Sequence, residues 1–181
     1  PRISTRWEKL PLAISSVLLM CSSYVIGPLA RLNPSKFGRY RFWRKSLGLT
    51  GLGLLLCHVC LAVVTLSPEY HPAVFEKDGA SVGTWGISLA LATLATIHLI
   101  FIGIISLQSV SRDMTMKQWL QIQRSGLAAL ALAFGHLGFL GYKNWFDAAK
   151  WYGGMMPSTM LASLVIIGTF SFRAYVRIRM W

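Results

Sequence analysis

Arg44 to Leu66 reads RKSLGLTGLGLLLCHVCLAVVTL, and the nature of this stretch decides the fold. It opens on a basic pair and then stays apolar for long enough to cross a bilayer, which takes about 20 residues. His58 lies deep inside it. Arg124 to Gly141, RSGLAALALAFGHLGFLG, repeats the layout with a basic start, a glycine and His136. Gly48 precedes His58 by the interval at which Gly126 precedes His136.

The rest of the chain agrees with a membrane setting. Its 181 residues suffice for one domain or one membrane bundle, and 1–181 reads as a single transmembrane domain. Charged residues make up 13% and hydrophobic residues 54%, with a mean hydropathy of +0.52. A soluble domain carries about 25% charged residues. The net charge of +12 does not point to nucleic acid, because the bases avoid the apolar runs and collect in the connections. Loops facing anionic headgroups have that distribution. Cys21, Cys57 and Cys60 all fall in apolar segments, so no disulfide framework is implied. In Cys57-His58-Val59-Cys60 the histidine lies inside the pair, whereas covalent haem attachment needs it after the second cysteine.

Five spans are expected, giving an all-α integral membrane bundle. Leu10–Leu32 is the first, with Pro28 bending or ending it. Trp7 precedes it as an interfacial anchor. Asn33–Lys45 is a basic, aromatic connection. It reads more readily as a headgroup-level loop than as a dinucleotide phosphate cradle, since no glycine-rich fingerprint is present. Arg44–Leu66 is the second span and Trp85–Leu107 the third. The intervening loop, Ser67–Thr84, carries His71 together with Glu69, Glu76, Lys77 and Asp78. Gln108–Gln123 reads as a helix lying on the surface, capped by Ser109 or Ser111, with Trp119 and Ile122 dipping into the interface. Arg124–Gly141 is the fourth span, Tyr142–Pro157 an aromatic loop, and Ser158–Phe172 and a little beyond the fifth. With this topology twelve bases fall on one side and six on the other, so the positive-inside rule puts the C-terminus inside.

His58 lies thirteen residues beyond Lys45, and His136 twelve beyond Arg124. At ~1.5 Å per residue both sit roughly 18–20 Å above the inner boundary, in the outer half of the bilayer. Both spans run outward, so two neutral imidazoles can meet at one level and bind a haem iron from opposite faces. Gly53, Cys57, Gly135 and Gly138 are small enough to leave room for a flat macrocycle. One such pair implies one haem b. A chlorophyll, for which a single histidine suffices, is the lesser alternative. His98 has no partner at its level and reads as a packing or polar-contact residue. No acidic residue lies within a span, which disfavours a cation channel or transporter.

From about Phe37 onward several short motifs fall in a consistent order. Arg44-Lys45-Ser46-Leu47-Gly48-Leu49 leads to His58, with nine residues between the last glycine and the histidine. Ser109-Val110-Ser111, Ile122-Gln123 and Gly126 lead to His136, followed by Gly141, Lys143 and Pro157. These motifs resemble the transmembrane domain of the six-transmembrane epithelial antigen of the prostate (STEAP) metalloreductases, within the ferric-reductase-like superfamily. The resemblance implies a six-helix domain, whose first helix here is missing or lies before Pro1. It implies one haem b on His58 and His136, and FAD on the inner side with Arg44, Lys45, Lys117 and Gln123 facing it. It also implies reduction of ferric or cupric ions outside. Two departures fall in the flavin-facing loop: the family's I-P-S-V-S is Leu107-Gln108-Ser109-Val110-Ser111, and its Q-S is Gln123-Arg124 with one residue fewer before the glycine.

No nicotinamide-binding domain is present in the sequence, so electrons are expected from a partner reductase. The alternative is an accessory subunit, structural or haem-carrying, of a larger respiratory or photosynthetic complex in a homo- or hetero-oligomer. The resemblance implies a plasma membrane or endomembrane; the subunit reading implies a mitochondrial or plastid one.

Overall fold

The computed structural model describes residues 4–67 and 83–180, without the side chains of 4–10, 150 and 152. His71 and the charged residues around it lie outside the described residues, and so does the side chain of Trp7. Among the described residues every regular element is helical. Five helices are long: α1 (Ser4–Leu32), α2 (Trp43–Val64), α3 (Thr84–Ile105), α4 (Met116–Trp145) and α5 (Ser158–Arg179). Each contains a stretch long and apolar enough to cross a membrane. The protein is an all-α membrane bundle.

Three boundaries differ from the sequence reading, each for a physical reason. α1 runs through both Pro11 and Pro28 and continues to Leu32. Pro28 has no N–H for the carbonyl of Tyr24 four residues back, and Arg173 Nη1 donates to that carbonyl instead at 2.8 Å. The proline therefore does not end the helix. Met116–Gln123 is not a helix separate from the fourth span but the first two turns of α4. Thr115 and Gln118 form a capping box, Thr115 Oγ1 accepting from the Gln118 N–H at 3.3 Å and Gln118 Oε1 accepting from the Thr115 N–H at 3.0 Å. The cap is Thr115, and Ser109 and Ser111 belong to a separate short turn, Gln108–Ser111. Thirty residues of α4 span ~45 Å, against a hydrocarbon layer of ~30 Å. Its polar start is the part that overhangs that layer. The basic connection after α1 is also helical, with Asn33 Oδ1 accepting from the Lys36 N–H at 3.0 Å to start Pro34–Phe37. A 3₁₀ turn, Gly38–Phe42, then leads straight into α2.

α1 packs along α2 and α3 packs along α4, while α5 joins the pairs by packing on both α1 and α4. α2 touches α3 lightly and α4 at most glancingly. The core is a cluster of Met20 and Cys21 from α1, Leu99 from α3, Ala129 and Leu130 from α4 and Ile166 from α5. α2 adds only the partly buried Leu52 and Leu55. It is the least covered span, with 6% of its apolar window buried against 22–28% in the other four.

Candidate functional site: two histidines in the outer half

The repeated glycines explain how the histidine helices are set. Ser23 and Tyr24 are consecutive on α1. A Cβ on Gly48 would lie 3.5 Å from Ser23 Oγ, and one on Gly126 would coincide with the Tyr24 hydroxyl. α1 thus meets both glycines through side chains, Ser23 at Gly48 and the tip of Tyr24 at Gly126. His58 and His136 follow their glycines by equal intervals.

His136 is held by α3. Its Nδ1 lies 2.9 Å from the Ser88 carbonyl oxygen and 2.8 Å from Ser88 Oγ. Ser88 Oγ in turn donates to the His136 carbonyl at 3.0 Å. With the serine proton used there, Nδ1–H is the donor and Nε2 carries the lone pair. This is the arrangement seen when the second ring nitrogen of a metal-binding histidine is fixed by a carbonyl. Ser88 is almost fully buried, at 1% exposure, so the contact is shielded from competing solvent.

His58 is half-buried on α2, between the exposed Cys57 and the partly buried Val59. A Cβ added at Gly53 or at Gly138 would meet no heavy atom within 4 Å, whereas one at Gly135 would come within 3.1 Å of Leu91. Two of the small residues flanking the histidines therefore border open space. The site thus offers one imidazole whose tautomer Ser88 sets, and glycines at 53 and 138 with open space beside them. Among the described residues no cluster of three or more His, Cys, Asp or Glu side chains exists, so a multidentate metal site is a poorer match.

His98 is committed elsewhere. Its Nε2 donates to the Ser125 carbonyl at 3.1 Å, with Ser125 Oγ at 3.0 Å. That hydroxyl donates to the Ile122 carbonyl at 2.7 Å. The contact ties α3 to α4 near the basic end, in keeping with the polar-contact role expected for His98.

Three of the four residues assigned by resemblance to the flavin side come together. Arg44, Lys45 and Gln123 line one cavity between α1, α2, α3 and α4 at the basic end. Lys117, in the first turn of α4, is exposed and not part of the lining. The cavity measures about 60 Å³, room for a few waters at ~10–15 Å³ each by the same measure. A three-ring flavin is far larger. At the outer end, Lys143 is exposed, and Trp145 Nε1 donates to Thr159 Oγ1 at 3.0 Å, fixing α4 to α5.

Ser88, Tyr24 and Arg173 were not singled out from the sequence as functional. A lone serine in the apolar run SLALATLATIHL is a signal for Ser88, since a buried hydroxyl in lipid needs a partner. For Tyr24 the signal is Pro28 four residues later, which frees its carbonyl.

No protein-family model matches the chain, and no curated protein is significantly similar to it.

Proposed function

We propose that this protein is a membrane-embedded haem b electron carrier whose axial ligands are His58 and His136. The observation that carries the reading is the Nδ1–H of His136 bonded to the Ser88 carbonyl, which leaves Nε2 free to bind a metal. Haem would supply a reversible one-electron centre within the hydrocarbon layer. The chain's own residues hold that centre. Ser88 orients one imidazole, α1 meets α2 and α4 at Gly48 and Gly126, and Gly53 and Gly138 leave the flanks clear. The basic end would receive the electrons. The outer end, with Lys143 exposed, would face the acceptor, a ferric or cupric ion on the strength of the motif resemblance.

The test is optical. The purified protein shows reduced b-type Soret and alpha bands, and His58→Ala and His136→Ala each lose them while the helical circular dichroism stays. Full haem content in both variants removes the proposal.

A second reading rests on α2, whose low burial leaves a lipid- or protein-facing surface that includes Phe42, Trp43, Val63 and Val64. On that reading the chain is an accessory subunit packed against another membrane protein through α2. Purification in a fixed-ratio complex, without reductase activity, favours it. Reduction of ferric ion by the isolated chain with a flavin reductase counts against it.

A further inference from the structure

The inner cavity carries more positive charge than the chain itself balances. Arg44 donates Nε–H to the Ser23 carbonyl at 3.2 Å, and Arg173 donates from Nη1 to the Tyr24 carbonyl at 2.8 Å. These carbonyls are consecutive on α1, so the two guanidinium groups are neighbours. Arg173 also stacks over the Tyr24 ring at 5.8 Å. Arg31, Arg41 and Arg124 stand close enough to add to the same field. Of the chain's six acids only Asp113 is on this side by topology. It is exposed and pairs with Arg112 at 3.7 Å, the one salt bridge among the described residues.

Like charges held together at a membrane boundary need a counter-charge, and among the described residues no acid pairs with these arginines. Each guanidinium has five N–H donors and is anchored through one of them, which leaves a fork suited to phosphate oxygens. The cavity beside Arg44 is lined by polar groups, Tyr24, Lys45 and Gln123 among them, and by the apolar Leu49, Leu52 and Leu99. α2 and α3 touch only lightly along this side, so it borders the lipid. Small, amphipathic and cationic, it matches a phosphate head followed by methylenes. Basic pockets between spans on the inner side are a known means of binding anionic headgroups.

We infer that this cavity binds an anionic phospholipid of the inner leaflet, its phosphate ester held by Arg44 and Lys45, which line it, with Arg173 adding positive charge from beside it, and its first methylenes lying against Leu49, Leu52 and Leu99. The site is separate from the paired histidines and does not depend on haem.

Native mass spectrometry of the full chain, purified and supplied with phosphatidylglycerol or phosphatidylcholine, tests it. The wild type retains phosphatidylglycerol in preference, and Arg44→Gln and Lys45→Gln each weaken retention by about fivefold, as expected for one basic residue at a headgroup. Arg179→Gln, whose guanidinium is exposed and bonded to the Tyr175 hydroxyl, leaves it unchanged. Inorganic phosphate at equal concentration does not displace the lipid, because it lacks the apolar contact; ready displacement means the site takes free anions and overturns the lipid assignment. Equal retention of the two lipids, or loss in Arg179→Gln equal to that in the other two, also overturns it. Should either variant misfold, the wild-type melting temperature decides: phosphatidylglycerol raises it above its value in phosphatidylcholine, and no difference ends the proposal.

Discussion

A single hydrogen bond sets the chemistry available to His136. With Nδ1–H given to the Ser88 carbonyl, the ring can offer only Nε2 to a metal. Ser88→Ala keeps the backbone acceptor and loses the hydroxyl, so haem affinity should fall by about tenfold or less, the low end for a group supporting a metal ligand. Haem titration of the variant measures this, and an unchanged affinity would show that the hydroxyl is not needed. The glycines divide by their surroundings. Gly126→Ala drives a methyl into the Tyr24 hydroxyl and should cost about 1–3 kcal/mol in thermal unfolding, the usual penalty of overpacking. Gly138→Ala adds a methyl that meets nothing within 4 Å and should leave the unfolding temperature alone, yet reduce haem retention. Normal haem loading in that variant would mean that the macrocycle does not approach Gly138. The equal glycine-to-histidine intervals were legible in the sequence; that α1 is what meets both glycines was not, because spacing within two helices says nothing of a third.

At the scale of elements, apolar length set the number of spans, and the first ends at Leu32 as read, but polarity misplaced the start of the fourth. Hydropathy ends where charge begins, but a helix ends where its backbone bonds run out, and the two differ when a helix overhangs the lipid. The polar Met116–Gln123 stretch belongs to α4 for that reason, and its signal was the Thr115-x-x-Gln118 pattern. Thr115→Ala should cost about 1 kcal/mol of local stability, read as faster amide exchange in the first turn of α4 with haem content unchanged. The His98–Ser125 contact between α3 and α4 is of the kind worth about 0.6 kcal/mol in membranes. His98→Phe should therefore lower the melting temperature slightly and leave the spectrum as it was, whereas loss of haem would make His98 part of the site.

For the whole molecule, charge and coverage give the sense of the bundle. Twelve bases against six assign the inner side, and α2 stands out as the span with least protein around it. A cysteine-reactive, membrane-impermeant probe should label a cysteine placed at Arg179 only from the side that also exposes Lys36. Labelling of the two from opposite faces would break the five-span topology. The proposed pairing of His58 with His136 comes from their matched depth in the sequence, whereas the hold of α3 on one imidazole required the fold. The most direct measurement of that pairing is low-temperature electron paramagnetic resonance of the oxidised, purified protein. Coordination by both rings predicts one low-spin bis-imidazole signal per chain, absent from His58→Ala and from His136→Ala. A high-spin signal, or a low-spin one that survives either substitution, would contradict it.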